Sequence, residues 1–157
     1  LTNVDSVLIR FHVGMIGYSG PGRTHVLFDL DKHSNKDDLI EEMFKMVATG
    51  GTTRTGEAIT FATKELLKNK SNGTRSNAKK VLVVFTDGYS QDDPMAAASN
   101  ARHQGIRTIV VAMEDHIAPN HSELLHIAGQ KEYILLSPKG SQLRERILGN
   151  SCTLTAI

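Results

Sequence analysis

Apolar positions in the first third of the chain switch between strand-like and helix-like spacing. Residues 10–18 alternate apolar and polar positions, which predicts a strand. A Ser-Gly-Pro-Gly turn follows, and a second short strand is predicted over 25–28. Residues 37–47 repeat apolar side chains at helical spacing, and a second helix is predicted over about 56–68. Two strands followed by two helices are therefore expected here.

Strands and helices alternate regularly through the rest of the chain. The apolar run Val81–Phe85, bounded by lysines and by Asp87-Gly88, predicts a strand buried on both faces of a parallel sheet. Asp93-Pro94 predicts a helix start, with Asp as N-cap, and Gly105 ends that helix after about His103. Further strands are predicted over 106–113 and 133–136, and further helices over 122–128 and around 143–148.

This order predicts a doubly wound, Rossmann-like α/β fold with a mostly parallel sheet flanked by helices. The length of 157 residues fits a single domain covering 1–157. Ligands of such folds bind beyond the carboxyl ends of the strands. The loops 17–23, 48–55, 86–93 and 114–121 are therefore the places to look for a site.

Composition excludes several classes of function. The net charge is +1, with 18 basic and 17 acidic residues, and no basic stripe is present, so nucleic-acid binding is not expected. No apolar run approaches the length of a bilayer span, so we expect no membrane insertion.

The single cysteine and three sequons bear on the compartment. Cys152 is either a free thiol or half of a disulfide whose partner lies outside this sequence. Asn69, Asn72 and Asn120 each begin an Asn-x-Ser/Thr tripeptide and are candidate glycosylation sites. The sequons mildly favour a secreted protein.

Two of the loops carry residues suited to hold a cation. The first is Gly-Gly-Thr-Thr-Arg-Thr-Gly (50–56), and the second is Thr-Asp-Gly-Tyr-Ser-Gln-Asp-Asp (86–93) after an apolar strand. A carboxylate facing a threonine hydroxyl supplies hard oxygen ligands for Mg²⁺, Mn²⁺ or Ca²⁺. Two simpler interpretations stay open: Thr53 or Thr55 only caps the following helix, and Asp87-Gly88 only forms a turn.

Other ligand chemistry has weaker support. No Gly-x-x-x-x-Gly-Lys-Ser/Thr pattern accompanies the glycine pair, so a nucleotide loop is not expected. His116, His121 and His126 do not share a helix face, and no cysteine or paired carboxylate nearby completes a zinc site. We expect these histidines to be solvated.

Taken together, these motifs resemble the von Willebrand factor A family. The resemblance is carried, in order, by Val-Gly-Met-Ile-Gly-Tyr-Ser (13–19), the Gly-Gly-x-Thr-x-Thr-Gly loop, Lys-Val-Leu-Val-Val-Phe-Thr-Asp-Gly (80–88), Gly105-Ile106 and Glu123-Leu124. The family's metal-ion-dependent adhesion site takes ligands from an Asp-x-Ser-x-Ser loop, a threonine and an aspartate. By motif, Thr53 and Asp87 correspond to the last two, with Thr52 a less favoured substitute for Thr53.

The resemblance also shows a departure. Asp-x-Ser-x-Ser is absent, and residues 1–9 resemble the end of the first helix, so the first, central strand is missing. Because the sequence also begins without Met, we expect a fragment of a longer protein, with a truncated variant as the alternative. Cys152 falls where extracellular members carry a closing cysteine. Neighbours of the missing strand would expose backbone groups and apolar faces.

The function that the resemblance implies is non-enzymatic adhesion or matrix assembly. We expect a secreted module of the extracellular matrix that binds a matrix or cell-surface protein, a collagen-like protein being one candidate, through a cation-held acidic group. One alternative is a metal-independent structural matrix domain. Another is a Mg²⁺-dependent enzyme or receiver-like domain with Asp87 as acceptor, but its acidic pair and later lysine are not found, nor is any hydrolase motif.

Overall fold

A computed structural model describes residues 11–47, 50–68, 73–114 and 117–149. The amino-terminal part contains β1 (Met15–Gly17), β2 (His25–Phe28), α1 (Lys36–Phe44) and α2 (Thr55–Leu67). The remainder contains β3 (Val81–Phe85), α3 (Pro94–His103), β4 (Arg107–Ala112), α4 (His121–Ala128), a 3-10 turn (Lys131–Tyr133), β5 (Ile134–Leu136) and α5 (Gly140–Leu148). The α/β fold and its element order are as predicted.

The strands form two separate hydrogen-bonded sheets among the described residues. β1 and β2 pair antiparallel, whereas β3, β4 and β5 form a parallel sheet in that order. The prediction of a mostly parallel sheet is confirmed. Among the described residues, no hydrogen-bonded pairing joins β1 to β3.

Helices cover both faces of the parallel sheet. On one face, Val110 and Ala112 of β4 belong to a buried cluster with side chains of α2, α3 and α4. On the other face, Ile109 and Val111 cluster with Leu135, and Leu143 and Ile147 of α5 pack against them. β4 alternates between the two clusters because successive strand side chains point to opposite faces. This is the doubly wound arrangement expected from the sequence.

The prediction that β3 is buried on both faces is wrong. Val81, Leu82 and Val83 are only half-buried, and Phe85 is 61% exposed. The fully buried strand is β4, in which every residue after Arg107 is buried. The physical reason is position: β4 has a strand on each edge, whereas β3 pairs with β4 alone among the described residues.

Helix ends follow local capping chemistry. The Asp93 carboxylate accepts a hydrogen bond from Met95 N at 2.9 Å, with Pro94 as the first helical residue, so the predicted start of α3 is confirmed. α5 begins at Gly140, earlier than its apolar residues suggested, and the Lys139 N–H donates to Gln142 Oε1 at 2.8 Å. α1 ends at Phe44, although its apolar repeat continued to Val47.

Candidate metal-binding face at the carboxyl ends of the strands

Two loops meet at the start of α2: the glycine loop (residues 50–54) and the β3 loop (residues 86–93). α2 has no side-chain cap of its own, and its N-cap residue is Arg54. The β3 loop supplies the cap instead. Ser90 Oγ accepts from Thr55 N at 2.9 Å, and the Asp92 carboxylate accepts from Gly56 N and Glu57 N at 3.0 and 2.8 Å. The first turn of α2 is therefore held by side chains about 35 residues further along the chain.

Asp92 is held in its charged form at this helix start. Burial alone would raise the pKa of Asp92, but its bonds to Ser90 and to the Gly56 and Glu57 N–H groups, with the nearby Arg54 charge, lower it below the ordinary value. The bond from Ser90 Oγ to Asp92 Oδ1 is 2.6 Å. A negative charge at a helix N-terminus is also favoured by the aligned peptide dipoles. Asp92 therefore joins the two loops as a carboxylate.

Thr53 is joined to the β3 loop through its backbone. Its carbonyl oxygen accepts from Gln91 N at 2.8 Å and from Ser90 Oγ at 3.3 Å. The Thr53 side chain does not cap α2, and neither does that of Thr55. The capping interpretation of these threonines is therefore wrong, because Ser90 and Asp92 already satisfy the N–H groups concerned.

Asp87 lies at the first turn after β3, and its side chain is exposed. Its Oδ1 accepts from Tyr89 N at 3.1 Å, so the predicted Asp-Gly turn is present. The turn uses one carboxylate oxygen, which leaves the second outside it. The Asp87 carbonyl accepts from Asn120 N at 2.9 Å, which ties the β3 loop to the start of α4. The turn and metal interpretations of Asp87 are therefore compatible.

Gly88 is required at this turn for two reasons. Its φ is +82°, a left-handed conformation that side chains disfavour. A Cβ there would also lie 2.8 Å from the Asn120 carbonyl oxygen and 3.1 Å from a Leu124 methyl group. The tight contact with α4 fixes the position of Asp87 beside it.

Glu123 of α4 is a further acidic group on this face. Its carboxylate oxygens accept from Ser90 N at 3.1 and 3.3 Å. Burial raises the pKa of Glu123, the charges of Asp87, Asp92 and Asp93 raise it further, and the Ser90 bond opposes them. A cation placed near these groups would relieve the mutual repulsion.

Tyr18 joins this face to the end of β1. Its hydroxyl donates to the Phe85 carbonyl at 2.9 Å. Burial raises the pKa of Tyr18, and the Asp87 and Glu123 charges reinforce the shift, while the Thr55 and Thr86 hydroxyls act against it. Thr55 Oγ1 is itself buried, and the described residues give it no hydrogen-bond partner of good geometry.

The donor chemistry of this face fits a hard divalent cation, with few ligands. Thr53 and Asp87 offer a hydroxyl and a carboxylate, the oxygen types that Mg²⁺, Mn²⁺ and Ca²⁺ prefer. Within the part of the chain that the structure describes, no three His, Cys, Asp or Glu side chains are grouped so as to hold a metal ion by themselves. A cation bound here would keep most of its water unless further ligands are supplied.

Of the other predicted site residues, Asn120 borders this face, and the rest lie apart from it or outside the described residues. Asn120 is half-buried and caps α4, its Oδ1 accepting from Glu123 N at 3.4 Å. His121 and His126 are exposed on α4. Asn69, Asn72, His116 and Cys152 lie outside the described residues, so glycosylation and the disulfide remain predictions.

Sequence reasoning missed Ser90, Asp92 and Glu123 as organisers of the face. The acidic stretch 86–93 drew attention as a whole, but nothing local indicated which carboxylate would cap a distant helix. The available signal was the Ser-x-Asp pair (90–92) in the facing loop, whose side chains are of the types that cap helices and had been given no role.

Comparison with known proteins identifies the family. The family model described as the von Willebrand factor type A domain matches residues 3–146. The chain therefore belongs to the von Willebrand factor type A domain family.

The curated relatives are much longer proteins. The chain is 36% identical to human vitrin over 102 residues, which is 65% of the chain and 15% of vitrin. It is 34% identical to a transmembrane cell adhesion receptor, mua-3, of Caenorhabditis elegans, covering 76% of the chain and 3% of the receptor. It is also 34% identical to the mouse collagen alpha-1(XX) chain, covering 77% of the chain and 9% of the collagen.

Solved structures agree on the fold. Proximal thread matrix protein 1 from the mussel byssus superposes with a TM-score of 0.70 at 24% identity, covering 86% of this chain and 34% of that one. One crystal structure of that protein has a zinc-occupied MIDAS motif. Manganese-loaded TRAP protein of Plasmodium vivax superposes with a TM-score of 0.64 at 18% identity, covering 85% and 56%. Separately, no helix in the described part of this chain is long and apolar enough to cross a membrane.

Proposed function

We propose that residues 1–157 form one extracellular adhesion or matrix-assembly module that recognises an acidic group of a protein partner through a divalent cation. The observation that carries the proposal is the joining of the two loops: Thr53 O accepts from Gln91 N at 2.8 Å, and Asp87 begins the same β3 loop. Thr53 and Asp87 therefore share one exposed end of the fold.

Thr53 and Asp87 would hold the cation, Mg²⁺ or Mn²⁺ by preference and Ca²⁺ as a further candidate. A bound cation supplies a positive charge with an open position that accepts a carboxylate of the partner. This chain's residues fix the geometry: Ser90 and Asp92 hold the glycine loop, while Gly88 and Asn120 hold the β3 loop. Metal-loaded structures of proteins with the same fold support the proposal.

The proposed partner is a matrix or cell-surface protein, a collagen-like protein being one candidate, and the proposed location is the extracellular matrix. Relatives among collagen chains and a cell adhesion receptor support this assignment. The role is binding, without catalysis. A metal-independent structural matrix domain is the second candidate, favoured by the absence of a three-residue metal cluster among the described residues.

Titration with Mn²⁺ tests the cation site. We expect weak binding, with a Kd of about 1 mM or above, since two protein ligands leave the ion largely hydrated. NMR amide signals of the glycine loop and of residues 87–90 should broaden first, because Mn²⁺ is paramagnetic. Calorimetry with Mg²⁺ measures the same equilibrium without the paramagnetic label.

Two site variants, each paired with a control that makes the same chemical change elsewhere, make the test specific. Asp87→Asn and Thr53→Val should each abolish the local broadening. Glu114→Gln removes one exposed negative charge after β4, and Thr52→Val removes the neighbouring hydroxyl, so both should bind as the parent does. Equal binding by Asp87→Asn, or loss of binding in Thr52→Val alone, would contradict the assignment.

Binding to immobilised collagen distinguishes the two candidates. The cation-dependent module should lose retention on the collagen surface when EDTA replaces Mg²⁺, and Asp87→Asn should reproduce that loss in Mg²⁺. Retention that neither EDTA nor Asp87→Asn changes would favour the structural matrix domain.

A further inference from the structure

A small cavity lies at the amino ends of β4 and β5, at the end of the sheet opposite the candidate metal-binding face. Its volume of about 150 Å³ exceeds the ~15 Å³ that one water molecule needs. Gly129 and Gln130 in its wall are exposed, so the cavity is open to solvent. β4 rises roughly 17 Å from Arg107 to Ala112, which separates the cavity from the metal-binding face. The residues that line the cavity include Arg102, Arg107, Thr108, Gly129, Gln130 and Tyr133.

Arg102 is anchored at the end of α4 through one of its nitrogens. Its Nη1 donates to Ile127 O at 2.5 Å and to His126 O at 3.3 Å. A Cβ at Gly129 would lie 2.8 Å from Arg102 Nε, so the glycine leaves room for the guanidinium. All hydrogen bonds from the Arg102 side chain to described residues come from Nη1. Because a guanidinium has five N–H groups, Nε and Nη2 keep three donors.

Arg107 is anchored in the same way at the end of α5. Its Nη1 donates to Arg146 O at 3.0 Å and to Ile147 O at 3.2 Å. Its guanidinium carbon lies 5.6 Å from the centre of the Tyr133 ring. Capping of the two helices therefore accounts for one nitrogen of each arginine. Since both side chains are already held in place, an anion that binds them costs little further side-chain entropy.

The positive charges of the two arginines are only partly offset. Among the described residues, no carboxylate lines the cavity or forms an ion pair with either arginine. A helix carboxyl terminus carries about half a negative charge, so the ends of α4 and α5 leave about half of each guanidinium charge uncompensated. Burial lowers the pKa of Arg102, and no acidic group opposes that shift. An anion in the cavity would therefore be stabilised by both charge and hydrogen bonds.

We propose that Arg102 and Arg107 bind a sulfate group of a sulfated polysaccharide in this cavity. The oxygens of a tetrahedral oxyanion match the spacing of the N–H groups along a guanidinium edge. The Gln130 amide and the Tyr133 hydroxyl are further donors among the lining residues. A polysaccharide as carrier of the sulfate follows from the proposed extracellular location, on which this inference rests.

Basic neighbours of the cavity favour a polymer over a free anion. Lys80 O accepts from Arg107 N at 3.0 Å, which places Lys80 beside the arginine. Lys131, which is exposed, follows Gln130 in the chain. One sulfate would occupy the cavity, and neighbouring sulfates of the same polymer would lie near these lysines. The basic residues are far apart in the sequence and come together because β3, β4 and β5 are parallel and begin at one end of the sheet.

NMR titration of the intact chain tests the proposal with a heparin hexasaccharide, its desulfated form and inorganic sulfate. The sulfated hexasaccharide should shift the Gly129 and Gln130 amides and the Arg107 Nε–H signal. Its Kd should be at least about tenfold lower than that of inorganic sulfate at equal ionic strength, because several sulfates act together. Arg102→Gln and Arg107→Gln should each raise that Kd about tenfold or more, since a charged hydrogen-bond donor is lost. Arg23→Gln, the same change in the exposed turn after β1, is the matched control and should leave the Kd unchanged.

Arg102→Lys keeps the test decisive if Arg102→Gln does not fold, because lysine retains the charge without the planar fork and should still weaken binding. The Kd should be the same in Mg²⁺ and in EDTA, so this inference and the proposed cation site can fail separately. Absence of the shifts, equal binding of the desulfated form, or a Kd that neither arginine variant changes would overturn the proposal. So would inorganic sulfate that binds as tightly as the hexasaccharide, a phosphoserine peptide that binds more tightly, or loss of binding in EDTA.

Discussion

The amino-terminal segment (residues 11–47) and the carboxyl-terminal segment (residues 73–149) differ in how much side chain they bury. In the first, Phe28 is the one buried hydrophobic residue described, and α1 buries none. In the second, Ile109 and Val110 of β4 are fully buried, as are Leu124 and Ile127 of α4. Both segments contain apolar residues at regular spacing, so composition does not explain the difference.

Neighbours explain it. β4 is paired on both edges and covered by helices on both faces, while β1 pairs with β2 alone among the described residues. Burial of a strand or helix thus depends on what packs beside it, and the spacing of its apolar residues alone does not determine it. The candidate metal-binding face is held by hydrogen bonds that join its two loops to each other and the β3 loop to α4. The glycine loop is also bonded to the residues that follow β1.

The largest expected effect comes from a core truncation in the carboxyl-terminal segment. Ile109→Ala should lower the free energy of unfolding by about 3 kcal/mol, because it removes buried methyl groups and leaves a cavity. Phe44→Ala in α1 is the matched change in the amino-terminal segment, and Phe44 is 84% exposed. It should alter the free energy by less than about 0.5 kcal/mol. Urea unfolding of both variants checks this, and a cost for Phe44→Ala near that of Ile109→Ala would contradict the comparison.

Much of this fold followed from sequence periodicity. β2, β3 and α3 have the predicted bounds, because turn residues and a clear capping pair mark their ends. The relative burial of β3 and β4 could not be predicted, since both are apolar runs and only their neighbours distinguish them. The end of α1 was also missed, because apolar spacing continues past Phe44 although nothing covers that helix face.

The candidate site was predictable only in part. Thr53 and Asp87 were proposed from motifs, and the structure places their loops in contact. Asp92 could not be assigned, because its bonds to Gly56 and Glu57 join residues about 35 positions apart. Such a cap depends on the register of packing, which periodicity does not report.

A smaller effect is expected where the β3 loop meets α4. Gly88 and Gly105 have similar left-handed φ values, +82° and +76°. A Cβ at Gly105 would meet nothing within 4 Å, whereas one at Gly88 would lie 2.8 Å from Asn120 O. Gly105→Ala should cost about 1 kcal/mol for the conformation alone, and Gly88→Ala about 2 to 3 kcal/mol in all. Equal costs in thermal or urea unfolding would show that the β3 loop is not held tightly against α4.

The smallest effect expected is that of the charge which joins the two loops. Asp92→Asn keeps the shape of the cap and loses its charge, so it should cost about 1 kcal/mol near neutral pH. Because the folded-state pKa of Asp92 is lowered, its stabilising contribution is present above the ordinary pKa and is lost as pH falls through the folded-state pKa. The difference in unfolding free energy between parent and variant should therefore be greatest near neutral pH and vanish in acid.

Asp93→Asn separates the joining of the loops from helix capping in general. Asp93 caps α3 through Met95 N, so its variant should also be destabilised at neutral pH. It should leave the amide chemical shifts of Thr53 and Gln91 unchanged, while Asp92→Asn should move both, because their hydrogen bond lies beside the Asp92 cap. A pH-independent cost for Asp92→Asn, or equal shift changes in the two variants, would mean that the Asp92 charge does not hold the loops together. The face would then depend on the backbone bonds of Thr53 and Asp87 alone.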